Sequence, residues 1–196
     1  MKNESSVKQI LIPAVSLFLI CLVCAGLLGF TDKITKEKIA QNAALAEAQA
    51  RTDAVPAAAD FSEPLTTQLD GVDYIYYEAK DSGGTVTAFV FTATSKGYGG
   101  DVTVMVGIDT NGLITGVKPV VLNETPGLGM KASSVDWLKQ YIGKGESVQV
   151  NKTKPADGAN EIQAITGATI TSKAVTSAVN IAFEAYNSIK EGTANG

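Results

Sequence analysis

The sequence contains no histidine and only two cysteines. Imidazole acid–base catalysis, Ser-His-Asp triads and histidine-ligated metal sites are therefore excluded. Both cysteines, Cys21 and Cys24, lie in an apolar N-terminal run, so a four-cysteine iron–sulfur cluster cannot be built within this chain. They are interpreted as small apolar residues, since a metal or redox role needs ligands from another subunit. Redox chemistry would need an organic cofactor.

Clusters of Lys and Arg are also missing. The chain has 16 Lys and Arg against 20 Asp and Glu. That balance argues against nucleic acid as a partner. The length of 196 residues suits one compact domain with appendages.

One long apolar run, residues 10–30, follows a short tail at residues 1–9. At about 1.5 Å per residue it spans roughly 30 Å, the thickness of a bilayer core. We predict a single transmembrane helix, because the apolar region of a cleaved signal is shorter, about 7–15 residues. The flanking lysines lean slightly towards a C-terminal domain inside the cell.

The segment 31–64 is predicted to be a juxtamembrane helix and a linker. Thr31 or Asp32 is suited to cap a helix that runs to about Thr52, since Ala, Glu, Gln and Lys dominate this stretch. Pro56 and the residues to Pro64 then break the helical pattern.

Residues 65–192 are predicted to form an α+β domain, an antiparallel sheet with helices packed against it. In residues 101–109, four apolar side chains alternate on one face: Val102, Val104, Val106 and Ile108. Asn111-Gly112 predicts a type I′ hairpin. The other predicted strands are 72–79, 85–94, 113–121 and 148–150, and a short amphipathic helix is predicted over 133–142.

A run of hydroxyl and small residues, 166–172, precedes the last helical pattern. The apolar face of that pattern comprises Ile170, Ala174, Ala178, Ile181, Ala182, Ala185 and Ile189. The run therefore lies at a helix N-terminus, whose free N–H groups and dipole favour an anion such as phosphate. Gly167 and Ala168 would let a ligand approach the backbone. Spacing alone favours an ordinary N-cap after a turn.

Residues 165–172, Ile-Thr-Gly-Ala-Thr-Ile-Thr-Ser, resemble the flavinylation motif of the FMN-binding domain family. The resemblance implies that FMN is attached through its phosphate to the hydroxyl of Thr169. Gln163 stands where the family pattern usually has Asp. That departure concerns recognition by the flavin transferase that matures such proteins.

The sequence has two glycine-rich stretches, 96–100 and 123–129, and the composition of each, taken alone, indicates a turn. They also resemble the same family, which has Gly-Tyr-Gly-Gly before its central hairpin and Glu-Thr-Pro-Gly-Leu-Gly after it. With the hydroxyl motif, the chain resembles the G-type subunit of Rnf electron transport complexes, which is related to the C-type subunit of sodium-pumping NADH:quinone reductases. The resemblance implies a membrane-anchored electron relay with its FMN domain outside the cytoplasm. Its partners would be other membrane subunits, in a complex that couples electron flow between ferredoxin and NAD to ion movement.

The residues expected to bind the cofactor around Thr169 are Thr166, Gly167, Ala168, Thr171, Glu124, Thr125, Gly127, Leu128, Gly129, Tyr98 and Lys152. Thr166 and Thr171 would bond the phosphate, Thr125 and backbone amides the polar edge of the flavin ring, and Leu128 would cover its face. Lys152 would approach the ring or phosphate. Tyr98 or Trp137 would stack, although Trp137 equally suits the core.

Three alternatives remain open from the sequence. One is the equivalent subunit of a sodium-pumping quinone reductase. Another is a membrane-tethered interaction domain without a cofactor. The third, a hydrolase with Thr169 or Ser172 as nucleophile, lacks an evident activating base.

Overall fold

The computed structural model describes residues 3–194 and divides the chain into two compact units, with the boundary between Leu45 and Ala46. Its helices are α1 (Asn3–Ala54), α2 (Val135–Leu138) and α3 (Thr169–Ala194), with short 3-10 helices at Gly129–Ser133 and Lys139–Tyr141. Its strands are β1 (Asp60–Phe61), β2 (Leu65–Leu69), β3 (Val72–Lys80), β4 (Val86–Lys96), β5 (Asp101–Asp109), β6 (Ile114–Leu122), β7 (Gln149–Asn151) and β8 (Glu161–Gln163).

The first helix continues through the point where a second helix is predicted to begin. Thr31 and Asp32, the predicted caps, both lie inside α1. The Thr31 hydroxyl donates to the carbonyl oxygen of Leu27 at 2.9 Å, a bond within the helix that replaces capping. Residues 32–50 contain neither Gly nor Pro, so nothing interrupts the helix. The predicted helix start at 31–32 is therefore wrong.

Within residues 3–194, α1 alone is long and apolar enough to cross a membrane. The side chains of residues 10–30 are exposed along the whole run, including Cys21 and Cys24. Such a continuous apolar surface is stable only when lipid or other apolar helices cover it. The helix therefore supports a membrane location for the chain.

The second unit is built on an antiparallel sheet, as predicted. Its strands follow the order β1-β3-β4-β5-β6, and β2 also pairs with β3. Sequence patterns found the four long strands, and β5 has the predicted bounds. They missed β1, β2 and β8, which are short. The missed β2–β3 hairpin turns at Asp70-Gly71, where both residues have positive φ, 50° and 77°.

The hairpin between β5 and β6 is present, but its turn differs from the type I′ that is predicted. A type I′ turn needs positive φ at both central residues, and Gly112 has a φ of 81° while Asn111 does not. The Gly112 N–H donates to the carbonyl oxygen of Asp109 at 3.0 Å. The Asp109 carboxylate also accepts the Asn111 and Leu113 N–H groups, each at 2.9 Å. These bonds favour a loop longer than the two residues of a type I′ turn.

The main core lies between one face of the sheet and α3. The alternating β5 side chains, Val102 to Ile108, are fully buried there, as predicted. From α3, Val175, Val179 and Phe183 pack against them. Because several turns of α3 pack against this face of the sheet, the core holds the first turn of α3 in place.

The opposite face of the sheet is covered by the end of α1. Ala54 and Val55 are buried in a second core with Val90 and Met105, and the Thr115 hydroxyl donates to the Ala54 carbonyl oxygen at 2.7 Å. The predicted division, with a linker up to residue 64, differs from this arrangement. Both faces of the sheet carry apolar side chains, so the end of α1 and the residues after it pack against the second face. Local sequence patterns do not reveal this long-range contact.

One ion pair fastens the same segment to the sheet. The Lys118 ammonium lies 2.7 Å from the Asp53 carboxylate, and the hydrogen bond from Lys118 lowers the pKa of Asp53, with help from Gln49. The two side chains remain 38% and 35% exposed, so solvent screens the pair. Its contribution to stability should therefore be small.

We expect Asp53→Asn to lower the unfolding free energy at pH 7 by about 0.2–1 kcal/mol. A carboxyl whose pKa is lowered on folding stabilises the protein above its unfolded pKa, about 3.9, and loses that effect as the pH falls through its folded pKa. The difference from wild type should therefore persist at neutral pH, shrink as the pH falls below about 4, and vanish only below the lowered folded pKa of Asp53. Thermal unfolding of the detergent-solubilised chain across pH measures it. Asp136→Asn, from a more exposed pair with Lys139, is the control and should change nothing.

Candidate functional site

The structure brings the hydroxyl motif and both glycine-rich stretches together at one cleft of about 620 Å³. This volume lies within the usual range of ligand pockets, roughly 300–1,000 Å³. The cleft is lined by Tyr98, Glu124, Thr125, Leu128, Gly129, Gly167, Ala168, Thr169, Ile170 and Thr171.

The floor of the cleft is the N-terminus of α3, as the sequence predicts. Gly167 has a φ of 80° and lies so close to Leu128 that an added Cβ would be 3.1 Å from Cδ2. The first helical bond runs from the Ser172 N–H to the Ala168 carbonyl oxygen at 3.0 Å. The N–H groups of residues 169–171 therefore have no partner within the helix, and the positive end of the dipole faces this side.

Three hydroxyl groups in the first turn of α3 differ in their availability. Thr169 is half-buried, and its hydroxyl has no hydrogen-bond partner within residues 3–194. The Thr171 hydroxyl likewise has none there, although the residue is buried. Ser172 is fully buried, donates to the Ala168 carbonyl oxygen and accepts the Ile165 N–H, both at 3.0 Å. These bonds and its burial exclude Ser172 as a nucleophile.

The loop after β6 forms the opposite wall. Pro126 and Gly127 occupy the centre of a tight turn, closed by the Leu128 N–H bonding the Thr125 carbonyl oxygen at 3.1 Å. Gly127, a predicted cofactor contact, has a φ of 77° and shapes the turn, but it is not among the residues that line the cleft. Leu128 is 45% exposed and presents its side chain to the cleft.

Gly129 is the point where the loop meets α3. An added Cβ there would be 2.7 Å from the Thr171 hydroxyl oxygen and 2.8 Å from the Glu124 side chain. Both distances are below any normal contact, so only glycine fits. The loop and the helix N-terminus are therefore packed directly on each other at this residue.

Glu124, a predicted cofactor contact, lines the cleft and also holds a neighbouring turn in place. Its carboxylate accepts the Tyr98 N–H at 2.8 Å and the Gly99 N–H at 3.3 Å. The side chain is buried and connects the glycine-rich turn before β5 to the loop after β6. Glu124 thus fixes the turn that carries Tyr98 at the cleft.

The remaining predicted residues fall into two groups. Tyr98 lines the cleft and is 73% exposed, whereas Thr166 and Lys152 are exposed and do not line it. Trp137 lies elsewhere, with its indole N–H bonded to the Gln163 carbonyl oxygen at 2.8 Å and its ring against Tyr141. Lys152 follows the short strand β7, whose position the sequence could not relate to the cleft.

Ile170 is the lining residue that sequence reasoning assigned to the core. Its spacing matches the apolar face of α3, yet it is 54% exposed and lines the cleft. Its position in the first turn of α3 places it at the cleft, whereas the later turns pack in the core. An apolar residue in the first turn of a helix that follows an anion-binding loop is a signal that could have found it.

Comparisons with known proteins agree with this architecture. The fold is similar to the crystal structure of Shewanella oneidensis NqrC, with a TM-score of 0.56 and 21% identity, covering 74% of this chain and 75% of that one. The crystal structure of the NqrC-type protein of Parabacteroides distasonis, from its Na(+)-translocating NADH-quinone reductase, gives a TM-score of 0.52 with 25% identity, over 59% and 62% of the two chains. Residues 97–184, which include every residue that lines the cleft, match the family described as FMN-binding domain, so this part of the chain belongs to the FMN-binding domain class.

Sequence relatives are more specific. Residues 1–52 match the RnfG N-terminal region. The chain is 39% identical to the G-type subunit of the Na(+)-translocating ferredoxin:NAD(+) oxidoreductase complex of Acetobacterium woodii, over 89% of this chain and 90% of that protein. It is 32% identical to the G-type subunit of the ion-translocating oxidoreductase complex of Methanosarcina acetivorans, over 96% and 100%. The chain therefore belongs to the RnfG family.

Proposed function

We propose that this protein is a membrane-anchored electron-relay subunit that carries FMN covalently, by a phosphoester to Thr169, within an ion-translocating ferredoxin:NAD oxidoreductase complex. The observation that carries the proposal is the cleft itself. It places an unengaged threonine hydroxyl at a helix N-terminus, between two loops that resemble the same flavin-binding family.

The residues present fit a phosphate ester of a flavin. The unbonded N–H groups of the first turn of α3 suit a phosphate that keeps one negative charge. The free Thr171 hydroxyl is a further donor inside the cleft. Leu128, Ile170 and Tyr98 supply an apolar and aromatic surface for a planar ring.

FMN supplies one- and two-electron transfer when bound. The chain's own residues would bind, orient and partly shield it. The Thr169 oxygen would replace one oxygen on phosphorus, so that the net addition is FMN less water. Within residues 3–194 no side chain bonds the Thr169 hydroxyl, so the base that removes its proton would come from a flavin transferase.

The segment before the acceptor is held firmly enough to be presented to such an enzyme. The Gln163 N–H donates to the Gln140 side-chain oxygen, and the Gln163 carbonyl oxygen accepts the Trp137 indole N–H, both at 2.8 Å. Because Gln163 is exposed while its backbone is fixed, the transferase would meet an ordered strand. We also propose that α1 contacts other membrane subunits and that the FMN domain lies outside the cytoplasm.

The proposal is tested by expressing the full chain in membranes together with a flavin transferase. Denaturing electrophoresis under ultraviolet light should show a fluorescent band at the mass of this protein, because a covalent flavin survives unfolding. A wild-type chain without fluorescence, in cells where a known flavinylated protein is fluorescent, would reject covalent flavin. What would then remain is the alternative of a tethered interaction domain.

A further inference from the structure

Glu124 has a feature that its hydrogen bonds do not account for. The side chain is only 8% exposed, and within residues 3–194 no Lys or Arg lies within ion-pair distance of it. A buried charge without a cation partner costs stability. A neutral glutamine oxygen could accept the Tyr98 N–H equally well, so the hydrogen bonds alone do not require a carboxylate.

The charge is fixed in the wall of the cleft. A side chain at Gly97 would collide with the Glu124 carboxylate, and one at Gly129 would come within 2.8 Å of its Oε2 atom. These glycines pack the carboxylate from two sides, so it has no room to swing into solvent. Its negative charge therefore acts on whatever group occupies the cleft, at low exposure to screening water.

We propose that Glu124 sets the reduction potential of the bound flavin by placing a fixed negative charge beside it. This rests on the proposed function. A one-electron donor adds one negative charge to the flavin when no proton follows, and the carboxylate opposes that added charge. In general, two unit charges about 10 Å apart, at an effective dielectric constant of about 20, interact strongly enough to change an equilibrium constant more than tenfold.

The test is a mediated spectroelectrochemical titration of flavin-loaded full chain in detergent. Glu124→Gln keeps the size and removes the charge, so its first one-electron midpoint potential should be more positive than wild type by about 59 mV or more, the equivalent of a tenfold change. Glu124→Asp keeps the charge and should stay close to the wild-type potential, even though its shorter side chain loosens the two hydrogen bonds.

The matched control is Glu184→Gln, which removes the same charge from an exposed position on α3. It lies fifteen residues after Thr169, roughly 22 Å along the helix, so its potential should not change. An unshifted or more negative potential in Glu124→Gln would overturn the proposal, as would an equal shift in Glu124→Asp. So would a Glu124→Gln chain that takes up no flavin while Glu124→Asp does, since Glu124 would then act in assembly. A wild-type chain without flavin would instead defeat the proposed function.

Discussion

Replacing Thr169 with alanine should remove the covalent flavin completely while the domain still folds. The hydroxyl is the only group at this position that can form the ester, so no partial loading is expected. The fold should tolerate the change, because Thr169 is half-buried, its hydroxyl has no partner within residues 3–194, and alanine is favourable in a helix. In-gel fluorescence reports the flavin, and thermal unfolding reports the fold.

Thr169→Ser is the matched variant, because it restores a hydroxyl at the same place. It should recover fluorescence at least in part, since a serine oxygen can form the same ester. Thr166→Ala, at an exposed hydroxyl outside the cleft, should keep the covalent flavin. Persistent fluorescence in Thr169→Ala would move the attachment to another residue, whereas its loss in Thr166→Ala would show that Thr166 takes part in flavin attachment.

Gly129→Ala should disrupt the cleft and prevent flavin loading even though the acceptor hydroxyl remains. The added methyl group would overlap the Thr171 hydroxyl oxygen and the Glu124 side chain, at 2.7 and 2.8 Å. Overpacking of this kind typically costs about 1–3 kcal/mol. Relief by movement of the loop would separate Thr125 and Leu128 from the first turn of α3, so flavin incorporation should fall to a small fraction of wild type.

Gly145→Ala is the control for the loss of a glycine. A Cβ at Gly145 would meet only the Gly112 carbonyl oxygen, at an ordinary 3.9 Å, and its φ is not positive. Thermal unfolding and in-gel fluorescence should therefore both resemble wild type. A Gly129→Ala chain with full flavin loading would mean that the close packing of loop on helix is not needed for the site.

Much of this site was accessible from the sequence because its parts are local. A helix start can be recognised from hydroxyl residues followed by an apolar period, and α3 begins at Thr169 as that pattern indicates. The alternation of Val102 to Ile108 likewise gave the buried face of β5. The meeting of distant loops could be expected only through resemblance to a family, because no local pattern relates residue 98 to residue 169.

The remaining differences come from tertiary contacts. The sequence predicts Glu124 at the cofactor but does not reveal that its carboxylate also accepts the Tyr98 and Gly99 N–H groups. Ile170 fits the apolar period of α3 but lies at the cleft and is 54% exposed. The residues after Pro56 look like a linker, yet β1 pairs with Lys80 and Ala79 in the sheet. In each case the tertiary context, which a local pattern does not contain, overrides local preference.

For the membrane segment, in contrast, local sequence is more informative than tertiary contacts. The apolar run 10–30 is long enough to be identified from composition alone, and α1 contains it. The helical pattern is predicted to run to about Thr52, and α1 ends at Ala54, shortly before Pro56; what local sequence does not reveal is that one helix continues through Thr31 and Asp32. The location of the FMN domain outside the cytoplasm stays a prediction, testable by labelling of a single exposed cysteine introduced in that domain, with Cys21 and Cys24 replaced.

The most direct test is the intact mass of the protein purified from its own membrane, followed by fragmentation of the peptide that spans residues 164–173. The expected mass exceeds that of the chain by one FMN less one water, and fragmentation places the addition on Thr169. An unmodified chain, or an addition on any other residue, would contradict the attachment of the electron carrier at the start of α3.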